Sequence, residues 1–258
     1  MDIWSVAVQG ALVRRVAGAL SVGLLVLAGC AGGGDTSGEP DGDAAAGASV
    51  AAGKDSASTP APPVAGAPLV LIAGTSLTAG LGLDPSDAYP AVVQRLADSA
   101  GVPVHVVNGG SSGETSAGLV RRMDWLLREP PAVVVIETGA NDGLRGVEPD
   151  STAANLRRIV ARVRELAPSA RILLVRMEAP PNMGASYVAR FRAMYGEVAR
   201  ESGAGLVPFL LEGVAGDPEL NQGDGIHPNE EGARIVARTV WSALRPVLDE
   251  VDGVGQGG

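Results

Sequence analysis

The stretch Leu69-Val-Leu-Ile-Ala-Gly-Thr-Ser-Leu-Thr-Ala-Gly80 decides the fold of this 258-residue chain. Its first five residues are apolar, which is typical of a strand that is buried on both faces of a parallel sheet. Gly74 ends the apolar run, and Thr75 and Ser76 follow where the strand must turn. Because α/β proteins bind ligands at the carboxyl edge of the sheet, the stretch predicts a strand that presents the Ser76 hydroxyl to a site. A helix N-cap at Ser76 would produce the same local pattern.

The rest of the chain alternates between apolar runs and segments with the helical spacing of apolar residues. The apolar runs predict strands at 69–73, 104–107, 132–137, 171–177 and 206–209. The helical spacing predicts helices at 87–100, 116–127, 151–166, 185–201 and 230–248. Parallel strands need crossover connections, so this alternation favours a five-stranded, mainly parallel sheet with helices on both faces. The fold class is therefore α/β.

Two stretches far from Ser76 in the sequence contain further candidate catalytic residues. The predicted strand after Pro131 ends in Gly139-Ala-Asn-Asp142, and Asp224-Gly-Ile-His-Pro-Asn229 precedes the last predicted helix. His227 is a candidate base for the weakly nucleophilic serine, and Asp224, three residues earlier, can orient the imidazole ring. Asn141 offers an uncharged amide donor. The alternative is that Asn141 is a turn residue and that the second stretch is a helix-capping loop.

These motifs resemble the four blocks of the GDSL/SGNH hydrolases, and they occur in the family's order between residues 68 and 248. The blocks are GTSL with Ser76, SSGET with Gly113, GAND with Asn141, and DGIHPN with Asp224 and His227. The strings NDGLRG and DGIHPN are most similar to the bacterial arylesterase, acyl-CoA thioesterase and lysophospholipase branch. Thr75 stands where the family has aspartate. That aspartate is not in the triad, so activity is expected to survive.

The resemblance implies a three-layer α/β/α, flavodoxin-like fold and a mechanism that needs no cofactor and no metal. Ser76, His227 and Asp224 would form the triad that acylates and deacylates the serine. The oxyanion would be bound by the backbone N–H groups of Ser76 and Gly113 and by the amide of Asn141. Glycine at position 113 makes sense because a side chain there could obstruct the approaching carbonyl group.

Two segments at the carboxyl ends of strands are predicted to wall the acyl site, namely 143–147 and 177–187. The candidate substrate-binding residues in them are Gly143, Leu144, Arg145, Pro181, Met183 and Tyr187. Met183 suits an apolar chain of variable length, although Met177 and Met183 could equally be core residues. The sequence shows no charged cluster near this site, but Arg145 could meet an anionic head group. The predicted substrates are short to medium acyl esters.

The N-terminal quarter of the chain predicts export of the protein. Arg14 and Arg15 precede a short apolar run, so 1–29 is interpreted as a signal peptide, and Leu27-Ala-Gly-Cys30 resembles a bacterial lipobox with lipid attachment at Cys30. An ordinary signal peptide with a chance cysteine is the alternative. Residues 30–67 are rich in Gly, Ala, Ser, Asp and Pro and predict a disordered tether. The hydrolase domain is assigned to 68–248 and a flexible tail to 249–258.

Composition excludes several other classes of function. The net charge is −9 and no basic patch suggests nucleic-acid binding. Cys30 is the only cysteine, which excludes an intrachain disulfide and a cysteine-ligated metal, and the two histidines are far apart. The predicted partners are therefore a small-molecule acyl ester or lysophospholipid and, through the lipid anchor alone, a membrane.

Three functions remain open from the sequence. The first is an exported, lipid-anchored esterase that hydrolyses aryl or acyl esters, lysophospholipids or thioesters. The second is a cell-envelope carbohydrate O-deacetylase of the same fold. The third is a catalytically idle binding lipoprotein, which only Thr75 favours, whereas Ser76, Asn141, Asp224 and His227 argue against it.

Overall fold

The structure, a computed structural model, describes residues 66–255. Its strands are β1 (Leu69–Gly74), β2 (His105–Gly110), β3 (Val133–Ile136), β4 (Arg171–Val175) and β5 (Gly205–Val207). Its helices are α1 (Ser76–Ala79), α2 (Tyr89–Ser99), α3 (Ser116–Leu126), α4 (Ala140–Leu144), α5 (Pro149–Leu166), α6 (Ala185–Ser202) and α7 (Glu230–Gly255), with a 3₁₀ turn at Pro181–Met183. The predicted signal peptide, the lipobox cysteine Cys30 and nearly all of the predicted tether lie outside the described residues.

The five strands form one sheet in the order β2-β1-β3-β4-β5, and every neighbouring pair is parallel. The chain moves from β1 outward to β2 and then returns to the other side of β1 to continue with β3. Strand order therefore reverses beside β1, which is the switch point at which flavodoxin-like sheets bind their ligands. Ser76 follows β1 directly and is placed at this point.

Helices cover both faces of the sheet, which confirms the predicted three-layer α/β/α architecture. Helices α2 and α7 pack together, while α5 packs against both α3 and α6. Strand β3 is buried along its whole length and β1 nearly so, as their continuous apolar sequences predict. The apolar stripe of α5, from Leu156 to Val163, is also buried.

The last helix is longer than the sequence predicts. The prediction ended it at Leu248 and placed a flexible tail at 249–258, but α7 continues to Gly255. Val251 packs against the core, and Glu250 forms an ion pair with Arg171 at the start of β4. These tertiary contacts extend the helix past the last residue of its regular apolar stripe. Over residues 66–255, no helix combines the length and apolar character needed to cross a membrane.

Candidate active site

Ser76 is placed by the end of β1 and the start of α1. Strand β1 ends at Gly74, Thr75 occupies the N-cap position without a side-chain capping bond, and Ser76 is the first helical residue. The alternative in which Ser76 itself caps the helix is therefore wrong. Ser76 is 9% exposed and lines a cleft.

The structure brings His227 to Ser76 from 151 positions along the chain, together with Asp224, three residues before it. His227 Nε2 lies 2.9 Å from Ser76 Oγ, and His227 Nδ1 lies 2.6 Å from Asp224 Oδ2. The other carboxylate oxygen of Asp224 accepts hydrogen bonds from the backbone N–H groups of Ile226 and His227, at 2.9 and 3.0 Å. Partial burial raises the pKa of Asp224, but these hydrogen bonds outweigh it and hold the pKa below its usual value. Asp224 is therefore an anion that orients the imidazole.

Gln222 holds the histidine loop against the serine turn. Its side-chain amide donates to the carbonyl oxygens of Leu81, at 2.7 Å, and Pro228, at 2.9 Å, while its backbone N–H donates to His227 O at 2.7 Å. A Cβ at Gly82 would lie 2.1 Å from the Gln222 amide oxygen, so a larger residue there would displace the Gln222 side chain. Sequence reasoning missed Gln222, because nothing in its local pattern shows that it contacts residues about 140 positions away.

Gly113 and Asn141 follow β2 and β3, the two neighbours of β1, so both lie at the same sheet edge as Ser76. Within residues 66–255, the backbone N–H groups of Ser76 and Gly113 donate no hydrogen bond. Asn141 Nδ2 donates to Glu114 O at 3.1 Å, which uses one of its two N–H bonds and leaves the other. Three free donors are thus available beside the serine hydroxyl.

The structure gives glycine at position 113 a reason in addition to the predicted one. A Cβ built on Gly113 would meet no protein atom within 4 Å, so a side chain there would not clash with the protein itself. The residue has φ +75°, in the left-handed region that glycine adopts without strain. Glycine at this position therefore keeps the shape of the loop that carries the N–H donor.

Asp142, next to Asn141, ties two of the donor loops together. It is 1% exposed, and its carboxylate accepts from the Ser116 backbone N–H at 2.8 Å and from the Ser116 hydroxyl. Ser116 begins α3 directly after the Gly113 loop, so the carboxylate also stabilises the amino end of that helix. Asp142 therefore links the segment that carries Asn141 to the helix that follows the Gly113 loop.

Thr75 and Thr78 surround the carboxyl group of Glu137, which is fully buried at the end of β3. The Thr75 backbone N–H donates to Glu137 Oε2 at 2.7 Å, its hydroxyl lies 3.0 Å from both carboxyl oxygens, and the Thr78 hydroxyl lies 2.8 Å from Oε2. Burial raises the pKa of Glu137 to about 7, although these hydrogen bonds oppose the rise. Threonine at position 75 thus acts as a hydrogen-bond donor to a buried acid.

Thr75→Asp, which restores the residue usual in the family, should fold and retain activity but change the pH dependence of stability. In the unfolded chain the Glu137 carboxyl group loses its proton near pH 4.5, whereas in the folded protein its pKa is about 7. The free energy of unfolding therefore falls as the pH rises between these two values. A second carboxyl group at position 75 would share that proton, so the pair would keep it to a higher pH, and stability would continue to fall above about pH 7. Between about pH 5 and about pH 8, Tm measured by circular dichroism should drop by ~3–8 °C more than in the wild type.

Thr75→Asn is the matched control, because it has the size of aspartate without its charge. Its Tm should follow pH with the wild-type slope. Equal slopes for Thr75→Asp and Thr75→Asn would show that the two carboxyl groups do not share a proton.

An apolar cleft of about 230 Å³ opens beside Ser76, and its wall includes Gly113, Asn141 and His227. Its apolar lining comes from Leu77, Leu81, Ala140, Leu144, Met177, Pro180, Phe209, Leu211 and Ile226. Glu178 is the carboxylate in the wall, and Arg192 neutralises it at 2.8 Å. Such a surface fits a hydrocarbon chain whose carbonyl carbon reaches the serine.

Of the six residues predicted to bind substrate, the structure places only Leu144 along this cleft. Tyr187 instead donates to Val147 O at 2.6 Å, and Met183 packs against Gly146, so both join the two predicted wall segments to each other. Gly143 is buried against Phe191 and Ala179.

The remaining two residues also lie away from the acyl cleft. Pro181 begins the 3₁₀ turn, and it is Pro180 that faces the cleft. Arg145 binds Gly113 O on the opposite side of the loop, at 3.0 Å. Sequence alone missed Leu77, Leu81, Phe209, Leu211 and Ile226, because they come from segments that meet only in the fold.

In the part of the chain that the structure describes, no group of three or more His, Cys, Asp or Glu side chains is arranged to hold a metal ion. The donors around Ser76 are instead N–H groups, which bind an anion. The Asp224 carboxylate contacts the His227 imidazole, which in turn contacts the Ser76 hydroxyl. This geometry is that of a serine hydrolase.

A family model for the GDSL-like Lipase/Acylhydrolase family matches residues 72–235. The chain belongs to this family, and it is an enzyme of the esterase class. It is 42% identical to Esterase TesA of Pseudomonas aeruginosa, over 71% of this chain and 91% of that protein. It is 38% identical to Thioesterase 1/protease 1/lysophospholipase L1 of Escherichia coli K12, over 72% and 87% of the two chains.

Solved structures show the same relationship. The crystal structure of TesA superposes with a TM-score of 0.66 at 41% identity, covering 69% of this chain and 99% of that one. The resemblance to GDSL/SGNH hydrolases that the four motifs indicated is thus confirmed, as is the fold.

Proposed function

We propose that this protein is an exported, lipid-anchored serine esterase that hydrolyses acyl esters, lysophospholipids or thioesters through an acyl-Ser76 intermediate. The observation that carries the proposal is the 2.9 Å contact between Ser76 Oγ and His227 Nε2, with Asp224 on the other ring nitrogen. The apolar cleft that opens at the same hydroxyl supports an acyl substrate. Relatives that carry the names esterase, thioesterase and lysophospholipase support the same substrate classes.

In the proposed reaction, His227 Nε2 accepts the proton of the Ser76 hydroxyl while Oγ bonds to the carbonyl carbon. The negative charge that develops on the carbonyl oxygen is stabilised by the N–H groups of Ser76, Gly113 and Asn141. The bond from the carbonyl carbon to the leaving oxygen or sulfur then breaks, and His227 donates its proton to that atom. Water, deprotonated by His227, attacks the acyl carbon, the bond from that carbon to Oγ breaks, and His227 returns the proton to Oγ, which releases the acid and free Ser76.

A series of p-nitrophenyl esters from acetate to palmitate tests the acyl preference. Each additional buried methylene contributes up to ~0.8 kcal/mol, so kcat/KM should rise with chain length until the cleft is full and then fall. Leu144→Ser, which places a polar group at the rim of the cleft, should reduce the gain per methylene. A kcat/KM that falls steadily from acetate onward would instead favour the carbohydrate O-deacetylase.

Export and lipidation rest on the sequence around Cys30, which precedes the described residues. Cys30→Ser should release the protein from the membrane fraction of expressing cells, because a single sulfur carries the proposed lipid. Gly32→Ser, a nearby substitution that retains the cysteine, is the control and should remain in the membrane fraction. Equal membrane retention of Cys30→Ser and the wild type would contradict the proposed anchor.

A further inference from the structure

A second, open cleft lies on the other side of the Gly113 loop from the acyl cleft. The residues of its wall that matter here are Ser112, Glu114, Arg121, Arg122, Trp125 and Arg145. Arg121, Arg122 and Trp125 belong to α3, whereas Arg145 follows α4. The chain therefore gathers three guanidinium groups from two distant segments beside the Gly113 loop.

The charges of this cleft do not cancel. Arg122 is neutralised by Glu114 at 2.7 Å and also donates to Gly109 O at 2.8 Å, so it braces the Gly113 loop. Arg121 and Arg145 form no ion pair with any residue in 66–255. Two positive charges thus remain unpaired beside the Gly113 loop of a protein whose net charge is −9. Such a local concentration of positive charge attracts anions.

Trp125 adds an aromatic surface to the same cleft. The sequence suggested a core or rim position for it, but its side chain is 58% exposed. It lies four residues after Arg121 on α3, so the two side chains share one face of the helix. An exposed indole beside unpaired arginines suits a ligand that carries both an anionic group and a flat ring.

Gly113 lines both clefts, and its N–H is one of the donors assigned to the oxyanion. An ester whose carbonyl oxygen reaches that N–H, and whose acyl chain enters the apolar cleft, directs its other half toward the arginines. We propose that the second cleft receives the leaving group and that Arg121 and Arg145 select leaving groups that carry a phosphate. This inference rests on the proposed esterase function.

Phosphate is the anion that the geometry favours, because guanidinium groups bind its oxygens through paired hydrogen bonds. Two sources share this chemistry: the head group of a lysophospholipid, and the nucleotide of an acyl thioester. They differ in the flat ring, which only the nucleotide carries and which Trp125 could stack against.

The test compares three substrates with one acyl chain: p-nitrophenyl laurate, 1-lauroyl-lysophosphatidylglycerol and lauroyl-CoA. The readout is the ratio of kcat/KM for each phosphorylated substrate to that for the neutral ester. In Arg121→Ala this ratio should fall about three- to tenfold, and further in Arg121→Ala/Arg145→Ala. Arg121→Lys, which keeps the charge, should recover part of the loss. Raising the ionic strength from ~0.05 M to ~0.5 M should lower the wild-type ratio more than that of the double variant.

Arg128→Ala is the matched control, because it removes the same charge just beyond the end of α3 but outside the cleft. Its ratios should equal those of the wild type. Trp125→Ala separates the two sources. A lower ratio for lauroyl-CoA alone would assign the nucleotide, whereas wild-type ratios for both phosphorylated substrates would assign the lipid head group.

Ratios that are unchanged in the double variant, while p-nitrophenyl laurate is still hydrolysed, would overturn the leaving-group assignment and leave the esterase function intact. A wild-type protein that hydrolyses none of the three substrates would overturn the esterase function itself.

Discussion

Ser76→Ala is expected to lower kcat for p-nitrophenyl butyrate hydrolysis by ~10⁶-fold, because no acyl-enzyme can form without Oγ. His227→Ala should cause a similar loss, since it removes the base that lies 2.9 Å from the serine hydroxyl. Both variants should keep the wild-type circular dichroism spectrum. A fluorophosphonate probe should label the wild-type peptide that contains Ser76 and should leave both variants unlabelled.

The chain offers a matched control for the histidine, because it has only two. His105 begins β2, an edge strand, and lies outside both clefts. His105→Ala should therefore retain wild-type turnover. Full activity in purified Ser76→Ala or His227→Ala would show that the contacts around Ser76 are structural, and the idle binding module would become the better interpretation.

Asn141→Ala should lower kcat by ~10²–10³-fold, or ~2.7–4 kcal/mol, with little change in KM. The amide is positioned by its bond to Glu114 O, which leaves one N–H for an oxygen that becomes negative in the transition state. A donor of this kind acts when charge develops and contributes little to the neutral ground state. Steady-state kinetics with p-nitrophenyl butyrate separates the two parameters.

Asn182 provides the control for this variant, because it is an exposed asparagine in the 3₁₀ turn, outside both clefts. Asn182→Ala should behave as the wild type. If Asn141→Ala instead raised KM and left kcat unchanged, the amide would bind substrate and transition state equally, and its oxyanion role would be refuted.

The architecture could be predicted from hydrophobic periodicity because each strand and each long helix carries its own signal. The apolar run 133–136 is buried on both faces, and α5 buries the stripe that its spacing predicts. The ends of elements were predicted less well: β2 continues to Gly110 and α7 to Gly255, since pairing with β1 and packing of Val251 extend them.

The residues around the serine could be named from four short motifs, and the structure brings Ser76, Asp224, His227, Gly113 and Asn141 together. Their catalytic roles stay predictions until the variants above are measured. The environment of Thr75 could not be inferred in the same way, because its partner Glu137 lies 62 positions away and is recognisable only as the polar end of β3. The export signal and Cys30 likewise stay predictions.

The chain by itself determined the α/β class, the order of the elements and the small set of residues that can do acyl chemistry, because these depend on local periodicity and short motifs. Tertiary structure alone decided the lining of the acyl cleft, where Leu81 and Phe209 form part of the wall while Met183 and Tyr187 join two loops. It also decided that Arg121 and Arg145 share a cleft, although the sequence showed no charged cluster. The reason is that a cleft wall is assembled from single residues of many segments, and no local pattern encodes which of them will meet.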